Sequence, residues 1–293
     1  MAKVIIVITV VVALLGCLLG GFFLFVPAHD DIVMIGHRGY SSKYPENTEL
    51  SFIQAAEHGS RGVETDVRIT KDGKFVLSHD GEAEFEDGTT LAITDATYAE
   101  LTEKCLKNTK TDDKVKICTL RRYLEVCKDY AMVCFIELKG VFSEDKIEEA
   151  YRLFEEVYDV EKCVMQSFEI ENLIGAQEMC KRVFPTKNVR FMLTWSKDRG
   201  DYSWCFDYGF DIDANVCSVS PGLVKDFHER GLEVAVWTCD DPIRLYAAYW
   251  CKVDYIESNV YLFLQYCFYA SVSRKPHYAV FCLEYCLIRQ NLN

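Results

Sequence analysis

Short apolar runs alternate with amphipathic segments between residues 32 and 259, and this alternation restricts the fold more than any other feature. The runs are rich in Val, Ile and Phe and are bounded by polar residues, which is typical of buried strands. The segments between them, such as residues 144–157 and 221–230, repeat their apolar side chains at helical spacing. Strands that alternate with helices predict a parallel sheet with crossover helices.

One apolar run, residues 74–78, differs from the others because it follows the strand at residues 63–67 across Asp72-Gly73. Asp-Gly favours a tight hairpin, and a parallel neighbour would need a much longer crossover. We therefore predict an antiparallel arm there. The remaining candidate strands are residues 32–35, 63–67, 132–138, 163–166, 189–194, 210–213, 233–237 and 254–257. Eight parallel strands are the number that closes a TIM (β/α)8 barrel, which is the predicted fold.

Residues 4–26 form an apolar run without a charged side chain. As a helix, the run is long enough to cross a hydrocarbon core of about 30 Å. Lys3 precedes it and Asp30 follows it, which favours a cytoplasmic N-terminus and places the rest of the chain outside the cytoplasm. A cleaved signal peptide is the main alternative, but its apolar core is normally shorter.

The chain therefore divides into three predicted parts: a transmembrane anchor at residues 1–29, a barrel domain at 30–260 and a C-terminal extension at 261–293. The extension contains two apolar stretches, each short for a membrane span. We expect a helix on the outside of the barrel, with a membrane-surface helix as the alternative.

Charge and cysteine content exclude some classes of function. The formal net charge of -13 argues against a nucleic-acid partner, because phosphate backbones require clustered Lys and Arg. The 14 cysteines are scattered, with no C-x-x-C pair and no zinc-like spacing. We interpret them as small buried hydrophobic side chains, although disulfides are compatible with an extracytoplasmic domain.

Polar side chains recur at the ends of the predicted strands, where TIM barrels carry their active sites. Glu64 and Asp66 are two residues apart on one strand and therefore point to the same face. Glu137 follows on the next barrel strand. Three converging carboxylates repel one another, and a hard divalent cation such as Mg2+ or Ca2+ relieves that repulsion.

The other strand ends add proton-transfer and phosphate-binding groups. His37 and His79 suit proton transfer near neutral pH. Arg38 and Lys139 suit phosphate oxygens, the first through a bidentate fork and the second as a point charge. Trp237 ends another strand, and we expect it to wall the substrate pocket. Together these groups predict metal-assisted cleavage of a phosphate ester.

Several motifs occur in a fixed order: His37-Arg38-Gly39, Pro45-Glu46-Asn47-Thr48, Glu64-x-Asp66-Val67, Thr70-Lys71-Asp72-Gly73, His79-Asp80, Glu137-Leu138-Lys139, Gln166-Ser167-Phe168 and Trp237-Thr238. In order and spacing they resemble the signature of the glycerophosphodiester phosphodiesterase family. The resemblance extends from residue 32 to residue 259. Residues 81–119 contain no large inserted subdomain, as in compact bacterial members of the family.

The resemblance implies metal-dependent hydrolysis of glycerophosphodiesters to sn-glycerol 3-phosphate and an alcohol. One histidine would deprotonate the attacking hydroxyl and the other would protonate the leaving alcohol. The family's functional residues fall on these positions: catalytic His37 and His79; metal-binding Glu64, Asp66 and Glu137; phosphate-binding Arg38 and Lys139. The closing strand departs from the pattern, because Ser258-Asn259 stands near the point where members often carry Thr-Asp.

The sequence leaves three alternative functions open. The substrate is either a soluble glycerophosphodiester or a lysophospholipid or sphingolipid cleaved in a phospholipase D-like reaction at the membrane, including a lyase that forms a cyclic phosphate. A non-catalytic, membrane-tethered binding barrel would have lost a histidine or a metal-binding acid, and the sequence retains them all. The third hypothesis is a structural membrane protein that assembles through residues 261–293, and only that extension supports it.

Overall fold

A computed structural model describes residues 32–260. The strands in this part of the chain, numbered in order, are β1 (Val33–Gly36), β2 (Gly62–Ile69), β3 (Phe75–Leu77), β4 (Glu82–Glu84), β5 (Thr90–Ala92), β6 (Val133–Leu138), β7 (Cys163–Ser167), β8 (Arg190–Trp195), β9 (Asp211–Asn215), β10 (Val234–Trp237) and β11 (Tyr255–Ser258). Eight of them, β1, β2 and β6 to β11, pair in parallel, and β1 closes the ring by pairing with both β2 and β11. The predicted TIM barrel is confirmed.

The arm at residues 74–78 is also confirmed. β3 pairs with β2 in antiparallel register, with Val67 opposite Leu77 and Ile69 opposite Phe75. The hairpin of β4 and β5 follows, and its side chains form a small apolar cluster with the arm. Phe85 and Ile93 are fully buried in that cluster. The long connection after β2 is thus a compact excursion that has its own core.

The helices are α1 (Glu49–Glu57), α2 (Tyr98–Glu103), α3 (Leu120–Asp129), α4 (Glu144–Val157), α5 (Ile170–Val183), α6 (Trp204–Tyr208), α7 (Pro221–His228) and α8 (Pro242–Cys251). Side-chain oxygens cap several of their first turns, as Thr48 does for α1 and Asp241 for α8. The apolar face of amphipathic α4, which includes Tyr151 and Phe154, is buried, as its helical spacing predicts.

The barrel interior is layered. A middle layer is apolar and consists of Ile35, Phe135, Val164, Met192, Ala235 and Tyr255. At the N-terminal end of the strands, Arg190 bonds Asp211 Oδ2 at 2.7 Å and Tyr255 Oη at 2.7 Å, which closes that end with a polar network. At the opposite, C-terminal end several inward positions are acidic, among them Glu64, Asp66 and Glu137. The layers therefore leave one polar opening, where TIM barrels hold their active sites.

The predicted anchor and the C-terminal extension lie outside residues 32–260. Within the described residues, no helix is long and apolar enough to cross a membrane. The ten cysteines of this part of the chain are free thiols, and all but Cys105 and Cys217 are buried. For the eight buried cysteines, the interpretation as small buried hydrophobic side chains is confirmed.

Candidate active site

The turn after β1 positions His37 and Arg38 and depends on glycine. Gly39 has a φ of +83°, and a Cβ there would lie 2.4 Å from Ser51 Oγ of α1. Arg38 also takes a left-handed φ of 58°, and its backbone N–H donates to Glu64 Oε2 at 2.9 Å. The His37-Arg38-Gly39 motif is thus a tight turn that fastens the end of β1 to the carboxylate of β2.

Three predicted metal-binding acids converge at the opening. Oxygen atoms of Glu64, Asp66 and Glu137 all lie within 4.8 Å of one another. Asp66 and Glu137 are register neighbours across the β2–β6 pair, and Glu64 is two residues from Asp66 on the same face. All three side chains are buried. The structure therefore brings together the acids that the sequence pattern placed at one mouth.

The two predicted phosphate-binding cations lie against the same acids. Lys139 Nζ is 2.8 Å from Asp66 Oδ1 and 2.7 Å from Glu137 Oε1. Arg38 Nε is 3.3 Å from Asp66 Oδ2, and its Nη1 is 3.1 Å from Glu46 Oε1. Arg38 Nε nevertheless has no hydrogen-bond acceptor in good geometry among the described residues. One donor of the guanidinium is thus buried beside Asp66 without a well-aligned hydrogen bond.

These contacts divide the acids electrostatically. Burial alone would raise the pKa of Asp66, but Lys139 and Arg38 outweigh burial and hold that pKa below its ordinary value. Burial and the neighbouring Asp66 carboxylate raise the pKa of Glu64 well above its usual range. Burial also raises the pKa of Glu137 to about 7, although Lys139 opposes the shift. The cations therefore compensate Asp66 and leave Glu64 and Glu137 short of positive charge.

Two further acids, absent from the predicted set, enlarge this deficit. Asp213 of β9 and Glu257 of β11 are both buried. Burial and then Glu137 raise the pKa of Asp213, while burial and then Asp213 and Glu64 raise that of Glu257. An oxygen of Glu257 also lies within 4.8 Å of an oxygen of Glu64 and a ring nitrogen of His37.

A hard divalent cation fits this donor set. The acids at the opening are Glu64, Asp66, Glu137, Asp213 and Glu257, and the cations that act on them in the described chain are Arg38 and Lys139. Carboxylate oxygens are the ligands that Mg2+ and Ca2+ prefer. A bound divalent ion would offset most of the excess negative charge, which the fixed side chains alone do not.

His37 lies at the C-terminal end of β1, and its Nδ1 is 2.9 Å from Asn259 Oδ1. Burial and the charge of Arg38 lower the pKa of this histidine to about 4. The ring is therefore neutral near pH 7. His37 belongs to the acidic opening, as the sequence predicted.

His79 stands on the arm and is less enclosed, with 39% of its side chain exposed. Its Nδ1 is 2.9 Å from Asp80 Oδ1. Arg68 of β2 positions the segment by donating to the carbonyl oxygens of Ser78 at 3.1 Å and His79 at 2.5 Å. Neither acidic cluster of the described residues includes His79.

Asn47 holds Asp66 in place. The Asn47 amide donates to Asp66 Oδ2 at 2.8 Å, and its Oδ1 accepts from the Asp66 N–H at 3.1 Å and from Thr65 Oγ1 at 2.7 Å. The residue takes a left-handed φ of 55°, which asparagine tolerates better than most residues. The Pro45-Glu46-Asn47-Thr48 motif thus orients Asp66, a predicted metal-binding acid, and caps α1.

Trp237 borders a cavity of about 580 Å3 at the opening. The other lining residues are Ser196, Lys197, Asp198, Asn215 and Ser218. Its Nε1 donates to Asp213 O at 3.1 Å, and its ring meets Phe168 edge to face at 6.0 Å. Trp237 therefore has both a packing contact and a face on an open pocket.

Comparison with known proteins agrees with this geometry. Residues 37–261 match the glycerophosphoryl diester phosphodiesterase family. Glycerophosphodiester phosphodiesterase 1 of Bos taurus is 30% identical over 245 residues, which is 71% of this chain and 72% of that protein.

Solved structures share the fold. That of an Oleispira antarctica phosphodiesterase in complex with the product sn-glycerol-3-phosphate has a TM-score of 0.68 at 21% identity, and the match covers 84% of this chain and 98% of that one. A glycerophosphodiester phosphodiesterase from Thermotoga maritima has a TM-score of 0.62 at 26% identity, with 80% and 97% covered.

Proposed function

The chain belongs to the glycerophosphoryl diester phosphodiesterase family and is an enzyme of that class, and from this we propose that it hydrolyses glycerophosphodiesters to sn-glycerol 3-phosphate and an alcohol with one divalent cation and two histidines. The observation that carries the proposal is the buried cluster of Glu64, Asp66 and Glu137, held with Arg38 and Lys139 beside His37. Burying several carboxylates together is energetically costly, and such clusters occur chiefly at functional sites.

We propose that Mg2+ or Ca2+ is held by Glu64, Asp66 and Glu137, with Glu257 as a further acid at the same opening. When bound, such an ion polarises a phosphoryl oxygen and offsets developing negative charge. Asn47 keeps Asp66 oriented for this role through its two hydrogen bonds.

Arg38 and Lys139 bind the phosphate oxygens in this account. The incompletely bonded Arg38 Nε supports a fork-like contact, and Lys139 contributes a charge next to the acids. Trp237 and the cavity beside it hold one of the two alcohol portions of the diester. These contacts position the phosphorus near His37.

Proton transfer is divided between the histidines. The neutral His37 ring accepts a proton from the attacking water, whose oxygen forms the new bond to phosphorus. The low pKa keeps this ring unprotonated near pH 7, and its bond to Asn259 Oδ1 orients it. His79, more exposed on the arm and paired with Asp80, donates a proton to the leaving alcohol. This assignment keeps the base inside the barrel and the acid where the alcohol departs.

The test is release of sn-glycerol 3-phosphate from glycerophosphocholine by the full chain, followed by 31P NMR. We expect product with Mg2+ or Ca2+ present and none with EDTA. His37→Ala and His79→Ala should each lower kcat by at least about 100-fold, the scale of general acid–base catalysis. The matched control is His228→Ala, because His228 is an exposed partner of Asp254 at the end of α7, away from the opening.

The same spectra separate the alternatives. A cyclic phosphate as final product would indicate a lyase, and turnover of lysophospholipid or sphingomyelin alone would indicate a membrane lipid substrate. Folded protein without turnover of any of these would contradict an enzymatic role and support a binding barrel.

We further propose that residues 4–26 anchor the chain in a membrane with the barrel on the extracytoplasmic side. The uncharged apolar run and the flanking Lys3 and Asp30 support this. Membranes that carry the expressed chain should retain it after carbonate washing, and protease should reach the barrel only from the outer side. Release by carbonate, or protection from external protease, would contradict the anchor or its orientation respectively.

A further inference from the structure

The His37 ring is connected to a chain of hydrogen bonds that runs away from the acidic opening. His37 Nδ1 is 2.9 Å from Asn259 Oδ1. Asn259 lies immediately after β11, so closure of the barrel brings it beside the end of β1. Ser41 Oγ is 2.5 Å from the same Oδ1 and 2.8 Å from the His37 carbonyl oxygen. Two groups, His37 Nδ1 and Ser41 Oγ, thus meet at one amide oxygen.

The orientation of the Asn259 amide is determined by Asp240. Asn259 Nδ2 donates to Asp240 Oδ2 at 2.6 Å, and the Asn259 backbone N–H donates to Asp240 Oδ1 at 2.8 Å. An ionised carboxylate only accepts hydrogen bonds, so the NH2 side of the amide must face Asp240. The carbonyl side therefore faces His37.

This orientation in turn determines which nitrogen of His37 carries the proton. Asn259 Oδ1 only accepts, so the hydrogen on the neutral ring must be on Nδ1. Nε2 is then left with its lone pair free. A ring nitrogen of His37 lies within 4.8 Å of oxygens of Glu64 and Glu257, so the ring borders the acidic opening. Nε2 is the ring nitrogen that is not bonded to Asn259.

We propose that Asp240 and Asn259 are positioning residues that fix His37 in the Nδ1–H tautomer and thereby present Nε2 as the proton acceptor. This inference rests on the proposed role of His37 in hydrolysis. Neither residue belongs to an acidic cluster of the described residues, and both act through the imidazole. In other active sites, too, a third group sets the tautomer and orientation of a catalytic histidine.

The direct test is the 15N spectrum of the imidazoles in the full chain, labelled at its six histidines. The His37 signals are assigned by their loss in His37→Ala. Protonated and unprotonated ring nitrogens have well-separated shifts, so the tautomer is read without an activity assay. We expect a protonated Nδ1 and an unprotonated Nε2 in the wild type. The opposite pattern would overturn the proposal.

Asp240→Asn removes one of the two accepting oxygens and allows the Asn259 amide to flip. We expect His37 to shift toward the Nε2–H tautomer, kcat to fall about 10- to 100-fold and KM to change less than about twofold, as for other residues that orient a functional histidine. The matched control is Asp241→Asn. Asp241 caps α8 through Ile243 and Arg244 N–H groups, and asparagine caps equally well. The control should match the wild type.

The double variant Asp240→Asn with Asn259→Asp reverses the roles of the pair. The carboxylate introduced at position 259 would accept from His37 Nδ1–H. The amide introduced at position 240 would donate to that carboxylate, while its own oxygen still accepts the backbone N–H of position 259. We expect the Nδ1–H tautomer to return together with most of kcat.

Two results would refute the inference: an unchanged tautomer in Asp240→Asn, or a double variant no better than the single one. If the wild type hydrolyses no glycerophosphodiester, the proposed function fails while the spectra still decide the tautomer.

Discussion

Glu137→Gln should make the metal-free protein more stable while it impairs the metal site. The pKa of Glu137 is raised from 4.5 to about 7. At neutral pH its buried charge therefore lowers the free energy of unfolding by on the order of 3 kcal/mol relative to a glutamate with an unperturbed pKa. Glutamine keeps the shape, and its oxygen can still accept from Lys139. For a domain of this size the gain corresponds to a melting temperature higher by about 5–10 °C.

The pH dependence has a defined sign. A raised pKa means that the folded state binds the proton more tightly than the unfolded state, so the stabilising contribution of this group is fully present below pH 4.5 and is lost as the pH rises through about 7. The melting temperature of the wild type should therefore be closest to that of the variant at pH 4.5. It should become increasingly lower than that of the variant as the pH approaches 8.

The assay is thermal unfolding of the full chain in EDTA across this pH range, repeated with saturating Mg2+ or Ca2+. The cation should raise the melting temperature of the wild type more than that of Glu137→Gln, since the ion replaces the missing positive charge. Glu103→Gln, an exposed position at the end of α2, is the control and should show neither effect. A metal-free Glu137→Gln protein that melts at or below the wild type at pH 8 would refute the charge-deficit argument.

Three further changes test separate parts of the site. Asn47→Ala removes two hydrogen bonds to Asp66 and should weaken divalent-cation binding about 10- to 100-fold, measured by calorimetric titration; unchanged affinity would contradict the orienting role. Arg38→Lys keeps the charge but loses the fork, so kcat/KM for glycerophosphocholine should fall at least about tenfold, whereas equal rates would contradict a bidentate contact. Gly39→Ala places a Cβ 2.4 Å from Ser51 Oγ at a positive φ and should cost about 3 kcal/mol or more in urea unfolding; wild-type stability would show that the turn relaxes.

The barrel and the acids that we propose as metal ligands could be predicted from local sequence patterns. A strand repeats every two residues, so Glu64 and Asp66 had to share a face once the run was assigned to a strand. The rule that barrel chemistry lies at the C-terminal strand ends then placed Glu137 beside them. The first step uses neighbours in the sequence and the second a rule of the fold, and the oxygen distances in the structure agree with both.

Glu257 and Asp213 were missed because the apolar content of their runs was used only to identify strands. Both are acidic residues inside buried strands, and that combination was a usable signal. With alternation, Glu257 shares the inward face of Tyr255. The predicted strand at residues 254–257, which ends at the departure from the family pattern at Ser258-Asn259, therefore contributes an acid directly to the acidic opening.

The connection of Asp240 and Asn259 to His37 was beyond sequence reasoning for a different reason. These residues come from the β10–α8 turn, the end of β11 and the end of β1, and only closure of the ring brings them together. No periodicity within one segment encodes such a contact. The role of Asn47 is similar, because it depends on a left-handed backbone that reaches across to β2.

The central claim is that this enzyme requires a divalent cation at the Glu64, Asp66 and Glu137 cluster. The most direct measurement is the rate of sn-glycerol 3-phosphate release from glycerophosphocholine as Mg2+ or Ca2+ is titrated into chelator-treated full chain, with bound metal counted in parallel. We predict a rate that begins at background and saturates as one ion binds per chain. Full activity in protein shown to be free of metal would contradict the account.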